Sequence, residues 1–510
     1  MAGLALSPKI LRGLEFGAPA AERDIGRGLE KYFVESAAYE RVRSGAKTIV
    51  LGNRGSGKSA IFKVLASRER AAGSHVIELA PEDYSYELLG STSAVAGSGS
   101  WAKHGAYAAA WKYLIYVLIM KEVSAKGGRG ASSAIYKYVR DNHADGQLGK
   151  LALLVSYLKR LEGIKVGVGP LKASLKAREL DKLYKLEEIN HLLPHLNQVL
   201  ARQRVVVLVD ELDRGWDSSE SAKAFVSGLF QACVSVNEMN DNLRVYVSLR
   251  RELYDDIPAL YEDAQKYRDL LETISWTEES LLKLIAKRIR HCAQENGHNH
   301  QAIDQTGDSA CWNAVFGTPP GHPANNSFRY MVGRTLHRPR EIIQFCTETV
   351  EHARERGAGL PLPYAAIGWT ERAYSAERAK DIAAEYRYQY PGLLGVFDAF
   401  RGQAEILSRD DIELLCLELA TGETPTRGTS SWLPDREPGD LIEIFWHIGF
   451  LTAQPAGGNR VKLGDRAPFL GMHQVQHLNL AAVQRFQVHP MFRTYLGSRQ
   501  ETRAEPRLAR

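Results

Sequence analysis

One eight-residue stretch limits the folds open to this chain more than any other: Gly52-Asn53-Arg54-Gly55-Ser56-Gly57-Lys58-Ser59. It follows a short branched apolar run, Thr48-Ile49-Val50-Leu51, and precedes residues 60–68, where Ile61, Phe62, Val64 and Leu65 recur at helical spacing. A glycine-rich turn between a strand and a helix is the setting of a phosphate-binding loop. Gly52, Gly55 and Gly57 let the backbone curl into a nest of N–H donors with no Cβ in the way. The start of the helix adds partial positive charge. In that role Lys58 reaches the β- and γ-phosphates of a nucleotide and Ser59 ligates Mg²⁺, with Asn53, Arg54, Ser56 and Ala60 completing the loop.

Gripping a nucleotide is not cutting it. Cutting calls for a second, acidic strand, and Val205-Val206-Val207-Leu208-Val209-Asp210-Glu211 supplies one. Five consecutive branched aliphatic residues read as a strand buried on both faces, as in a parallel sheet. Asp210 falls at its C-terminal end, where α/β sheets place ligands, and there it can hold Mg²⁺ through water. Glu211 can polarise the attacking water as general base. A third strand, Leu243–Leu249, is expected between these two. Its polar end, Ser248 or Arg250, is the candidate γ-phosphate sensor, against a plain core strand leading to a surface arginine. Arg268 precedes a strand-like Thr273-Ile274-Ser275-Trp276. It is either a finger reaching a neighbouring subunit's phosphate or a surface ion pair.

Together these residues resemble the AAA+/STAND-type P-loop ATPases, near their initiator-like and KAP-like branches. More narrowly they resemble a group of bacterial P-loop ATPases marked by FGxxxAE, the P-loop, DELDxGW, an LR strand end and KYRD. Here those marks stand as Phe16-Gly17 with Ala21-Glu22, then Gly52 to Ser59, then Asp210 to Trp216, then Leu249-Arg250, then Lys266 to Asp269. The match runs from about Phe16 to about Arg290. The resemblance implies Mg²⁺-dependent ATP binding and hydrolysis that drives a conformational or assembly switch. It further implies a bacterial anti-phage defence or DNA-maintenance complex, with an effector protein or further copies of the chain as partner and DNA as another. Arg340, with Arg338 second, matches the arginine of a sensor-2 helix in the segment Leu336-His337-Arg338-Pro339-Arg340-Glu341-Ile342-Ile343, against an ordinary capped helix with surface arginines.

The expected fold class is α/β: a P-loop parallel-sheet domain, a helical lid and a C-terminal winged-helix-like domain. Residues 1–45 form a helical linker, with LEKYFVESAAYERV at helical spacing and Tyr32 and Phe33 on or near one face. Residues 46–276 form the ATPase core, 277–399 the lid, 400–500 the winged-helix-like part and 501–510 a frayed tail. About 150 residues separate the loop from the acidic strand, so an insertion at about 90–200 must be housed there. It includes a Ser/Gly-rich loop at 90–105, a hairpin at 164–175 and a lysine-spotted helix. Its lysines and arginines, from Lys159 to Lys185, interleave with acids, which favours a solvated face over a lid on nucleic acid. The helix near 440–448 carries no Lys or Arg, and Arg460, Lys462 and Arg466 near the wing are the basic residues there. That favours protein contact over reading a major groove.

Composition closes off other classes. The chain has 510 residues, 44% hydrophobic and 25% charged, with a net charge of +5, a soluble, multi-domain profile. Its five cysteines are scattered without CxxC spacing, which suits a reducing cytoplasm and no zinc ribbon. His191/His195 and His473/His477 have metal-like spacing but no evident third ligand. The apolar run from Ala106 is short for a membrane span, is interrupted by Lys112, and reads as a buried core helix. Two other classes stay open beside the ATPase: a nucleotide-gated scaffold with negligible turnover, and a DNA-binding regulator acting through the winged helix.

Overall fold

The computed structural model describes residues 6, 10–80, 100–125, 127, 130, 132–143, 186–212, 216, 218–257, 260, 267–297, 300–317, 326–426, 428, 430–455, 468–475 and 477–499. The chain divides into two compact units. One comprises residues 21–30 and 35–274, the other residues 1–20, 31–34 and 275–510. The hairpin at 164–175, the insertion's lysines from Lys159 to Lys185, the wing's Arg460, Lys462 and Arg466, and the tail at 501–510 lie outside the described residues, as does most of the Ser/Gly-rich loop.

The unit that carries the glycine-rich loop is built on five parallel strands: β1 (Ile49–Leu51), β2 (His75–Leu79), β3 (Val205–Val209), β4 (Leu243–Leu249) and β5 (Leu271–Thr273). Their order across the sheet is β2-β3-β4-β1-β5. Every residue of β3 is buried. The alternation of a strand explains why both faces must be apolar. Val205, Val207 and Val209 join Val245, Val247 and Leu249 in one core with helices Ser100–Ser124 and Glu220–Asn237. On the other face Tyr246 meets Phe62 of helix Lys58–Ala71, ring centroids 6.5 Å apart. The expected core helix from Ala106 is present but begins earlier, spanning Ser100–Ser124, so residues 100–105, expected as loop, are helical. Trp111, Leu114 and Ile119 are fully buried, and burial pulls the Lys112 ammonium below its usual pKa. Among the described residues no helix is long and apolar enough to cross a membrane.

Two further expected elements differ. The last strand lies two residues earlier than Thr273–Trp276. Its ladder to β1 pairs Ile49 with Leu271 and closes where the Ile274 N–H donates to the Leu51 carbonyl at 2.8 Å. Thr277 then caps helix Glu278–Glu295 in a reciprocal box with Ser280, which takes the next residues out of the sheet. The segment LEKYFVESAAYERV is two helices, Leu29–Tyr32 and Ala37–Arg43. Ser36 interrupts it by turning its Oγ to the Tyr39 N–H at 3.1 Å. The second helix is then fastened to β5 by two 2.7 Å bonds from the Arg41 guanidinium to the Glu272 carboxylate.

The other unit is helical, with a small C-terminal module of helices and strands. Its long helices are Glu278–Glu295, Pro339–Glu355 and Ala365–Glu385. The module contains β6 (Ile406–Ser408), helices Arg409–Thr421 and Pro438–His447, β7 (Leu451–Ala453), β8 (Arg485–Val488) and helix Pro490–Leu496. Its three strands are antiparallel in the order β6-β8-β7. Two helices followed by a strand and a short final helix match a winged-helix-like plan; the second strand expected after the Gly-Gly-Asn turn, at 460–463, lies outside the described residues, β7 pairs with β8, and β6 was not foreseen. A core of Phe397, Phe400, Phe445, Phe450 and Phe492 joins these elements. Helix Ala365–Glu385 clamps the last helix, with the Ser375 hydroxyl donating to the Met491 carbonyl and accepting from the Tyr495 N–H.

Three histidines meet inside this unit. His337 and His489 flank His473, with ring centroids 4.7 and 5.8 Å from it. Burial, and then the charge of Arg493 and the neighbouring His337 and Arg334, pushes His489 down to about 3. A histidine held neutral in the fold but titrating near 6.5 when unfolded takes up its proton on unfolding between those two values. Stability is therefore intact above pH 6.5 and falls as pH drops below it. We expect His489 alone to remove about 2 kcal/mol between pH 7 and pH 5. His489→Asn, which keeps an acceptor for the Met491 N–H, should flatten that dependence in urea unfolding. An unchanged pH profile in the variant would refute it.

Candidate functional site

The loop's geometry follows from its glycines. Gly55 has φ of 80° and Gly57 of 99°, the left-handed region in which a side chain is strained. Gly52 is closed to a side chain for another reason, since a Cβ there would lie 2.5 Å from the Ser56 Oγ. The Gly52 N–H donates to the Leu249 carbonyl at 3.3 Å, tying the loop to the end of β4, and the Ser56 N–H donates to the Asn53 carbonyl at 3.2 Å. Helix Lys58–Ala71 starts directly behind, at Gly57. The Lys58 ammonium bends over the loop and donates to the carbonyls of Gly52 at 2.6 Å and Asn53 at 3.1 Å. Ser56 is buried, while Asn53, Arg54, Lys58, Ser59 and Ala60 are half-buried.

Because every strand is parallel, the C-terminal ends of β1, β3 and β4 share one edge. β4 lies between the other two, as expected from the sequence. The loop leaves β1 there and Asp210 leaves β3, two strand spacings or about 10 Å apart. Pairing of Val209 with Val247 sets Asp210 beside Ser248. The Ser248 hydroxyl donates to the Asp210 Oδ1, and the Glu211 N–H donates to that same oxygen at 2.9 Å. Both bonds fall on Oδ1, which leaves Oδ2 for another ligand. Glu211 has φ of 60°. A non-glycine residue held there stores about 1–3 kcal/mol of strain, and such outliers gather at functional sites.

The arginines divide. Arg250 caps helix Arg251–Asp255 just past β4, at the same edge, 3.8 Å from the Glu252 carboxylate. Of the two sensor candidates, Ser248 is the one bonded to Asp210. Arg268 is exposed in the turn before β5, at the N-terminal ends of the strands, where Lys47 donates to the adjacent Asp269 carbonyl at 2.6 Å. The fold therefore does not bring it to the loop of its own unit. Arg340 belongs to the other unit, where its Nε donates to the Pro19 carbonyl at 3.2 Å. Arg338 is buried there against Glu385 at 2.7 Å and Glu341 at 3.7 Å. The Phe16 ring packs on Phe316 with centroids 6.1 Å apart, and its carbonyl accepts from the buried Arg288, so this mark of the sequence is used in packing. Asp213, Arg214, Gly215 and Lys266 lie outside the described residues.

Among the described residues no group of three or more His, Cys, Asp or Glu side chains converges as a metal site, and all five cysteines are buried free thiols. Ser59 and Asp210 offer two oxygen donors, about the number Mg²⁺ takes from protein in phosphate-binding sites. Sequence reasoning missed the strained Glu211 backbone. Nothing in an Asp-Glu dipeptide signals a left-handed residue, since glycine or asparagine is the usual occupant of that region.

Residues 279–383 match the FunZ-associated C-terminal helical domain. A putative transposon gamma-delta 80.3 kDa protein of Escherichia coli (strain K12) is 24% identical over 405 residues, covering 76% of this chain and 53% of that protein. The chain thus spans about half the length of the curated relative it matches. A solved structure of the Aeropyrum pernix ORC2 protein, in ADPNP–ADP complexes, aligns over 93% of this chain and 92% of that one, with 12% identity and a TM-score of 0.35. The loop-bearing unit is an α/β domain built on a parallel five-stranded sheet.

Relief of the Glu211 strain is measurable. Glu211→Gly should raise stability by about 1 kcal/mol, because glycine tolerates this φ, whereas Glu211→Ala should not. Chemical denaturation compares the two, and a glycine variant no more stable than the alanine variant would contradict the strain.

Proposed function

We propose that this chain binds ATP with Mg²⁺ and hydrolyses it. The observation that carries the reading is the shared sheet edge: the glycine-rich loop with Lys58 after β1, and Asp210 with Glu211 after β3. The loop N–H groups and Lys58 would hold the β- and γ-phosphates, with Gly52, Asn53, Arg54, Gly55, Ser56, Gly57 and Ala60 shaping the cradle. Ser59 and Asp210 would hold Mg²⁺, which supplies charge neutralisation at the phosphate oxygens. Ser248 keeps the Asp210 carboxylate oriented. Glu211 would accept the proton of the attacking water, a contribution of about 10²–10⁴ in rate. Arg250, beyond β4, would sense the γ-phosphate. Arg268 would serve a second copy of the chain, and Arg340 would act as the sensor of the helical unit.

Turnover would drive a conformational or assembly switch in a bacterial defence or DNA-maintenance complex. The relative's name, a transposon protein, favours that setting. The C-terminal module is read as winged-helix-like. Its helix Pro438–His447 exposes Asp440 and Glu443, with Glu437 exposed at its cap. Those carboxylates would repel phosphates in a major groove, which supports contact with an effector protein over sequence-specific DNA reading.

Lys58→Ala should abolish binding of a fluorescent ATP analogue. Glu211→Gln should bind it as wild type does while turnover falls by about 10²-fold or more. Undiminished turnover in Glu211→Gln removes Glu211 from its role. Wild-type binding without turnover would favour the nucleotide-gated scaffold instead.

A further inference from the structure

We propose that the exposed face of helix Ala365–Glu385, with the turn that follows it, is a binding surface for single-stranded nucleic acid. The helix buries Ala366, Ile367, Thr370, Tyr374, Arg378 and Ile382. The opposite stripe holds Trp369, Arg372, Ala373, Ala376 and Lys380, at spacings of three, four, seven and eleven residues from the tryptophan, which is one helical face. Trp369 to Lys380 covers about 16 Å at 1.5 Å per residue, and Arg387 and Tyr388 continue past the helix end.

An aromatic ring stands near each end of this track, with cations between them. Trp369 is 36% exposed and Tyr388 is 42% exposed. The Arg356 guanidinium lies 4.4 Å from the Trp369 ring centroid, and that of Arg387 lies 4.5 Å from the Tyr388 centroid. Arg356, Arg372, Lys380 and Arg387 have no carboxylate partner among the described residues. Two of the acids nearby are paired with cations: Asp381 with Arg378 at 2.6 Å, and Glu371, buried, with Arg334 at 2.7 Å. Glu377, exposed and accepting from the Gln344 amide at 3.1 Å, and Glu355, exposed beside Arg356, are the opposing charges. Ala373 and Ala376 leave the ground between the cations open.

A positively charged track with accessible rings fits a single strand, whose backbone follows the cations while its bases stack on aromatic faces and guanidinium planes. A duplex hides its base faces and would gain nothing from Trp369. Binding here needs no nucleotide in the P-loop, so it stands apart from the ATPase reading, and its failure would leave that reading intact.

The test uses the full chain without ATP and a fluorescein-labelled dT20, with U20 and a 20-base-pair duplex as further arms. We expect anisotropy to report dT20 or U20 binding tighter than duplex, with quenching of Trp369 fluorescence. Trp369→Ala should weaken it about 10-fold and Trp369→Phe should restore most of the loss. Arg372→Gln with Lys380→Gln should reduce the slope of log affinity against log salt by about 1.4. Circular dichroism checks that each variant is folded, and the exposed positions make that the expected result. No binding of either single strand at low salt, equal or tighter binding of duplex, or variants that bind as wild type does would each overturn the proposal. Preference between dT20 and U20 tells DNA from RNA.

Discussion

The Asp210 Oδ1, held by the Ser248 hydroxyl and the Glu211 N–H, is the joint on which the candidate site depends. It exists because β3 and β4 are in one particular register. A slip of one residue would turn Ser248 to the other face and leave Asp210 without it. That register is secured by burial. Five aliphatic residues of β3, each wholly enclosed, contribute about 1.5–3 kcal/mol apiece against exposure. The same sheet carries the loop on β1 to the same edge, so the strands' apolar sequence is what positions the charged groups beyond them.

The loop and the acid pair stand in contrasting states of strain. The loop has glycine wherever its backbone turns left-handed. Glu211 takes up such a conformation with a side chain attached. A sequence optimised for stability would place glycine there too, so a carboxylate kept at that cost is a sign that its chemistry is needed. The helical unit shows another exchange. Arg338, Glu341 and Glu385 are buried together, and the guanidinium that the sequence suggested as second sensor candidate is committed to that network. Removing one member would strand the others without water.

Much of this was legible in the chain. Gly52 to Ser59 announced the loop because its chemistry demands glycine at fixed offsets, and Val205–Val209 announced a buried parallel strand by the length of its apolar run. Thr277 and Ser408 cap the helices that follow them, a signal their residue types carry locally. Local signals failed where non-local contacts decide. Helical spacing over residues 29–42 gave no hint that Ser36 would break it, and the end of β5 was set by its ladder to β1. β6 was missed because three residues, paired with β8, carry too little periodicity. The roles of Arg268 and Arg340 hang on geometry beyond one compact unit, which a linear motif does not encode.

The central claim is that the groups after β1 and β3 serve one Mg²⁺–triphosphate. Calorimetry of a non-hydrolysable ATP analogue, with Mg²⁺ and with EDTA, tests it most directly in wild type and Asp210→Asn. The account expects Mg²⁺ to strengthen binding to wild type, and expects Asp210→Asn to lose most of that gain while its metal-free affinity is unchanged. A full Mg²⁺-dependent gain in Asp210→Asn would contradict the account.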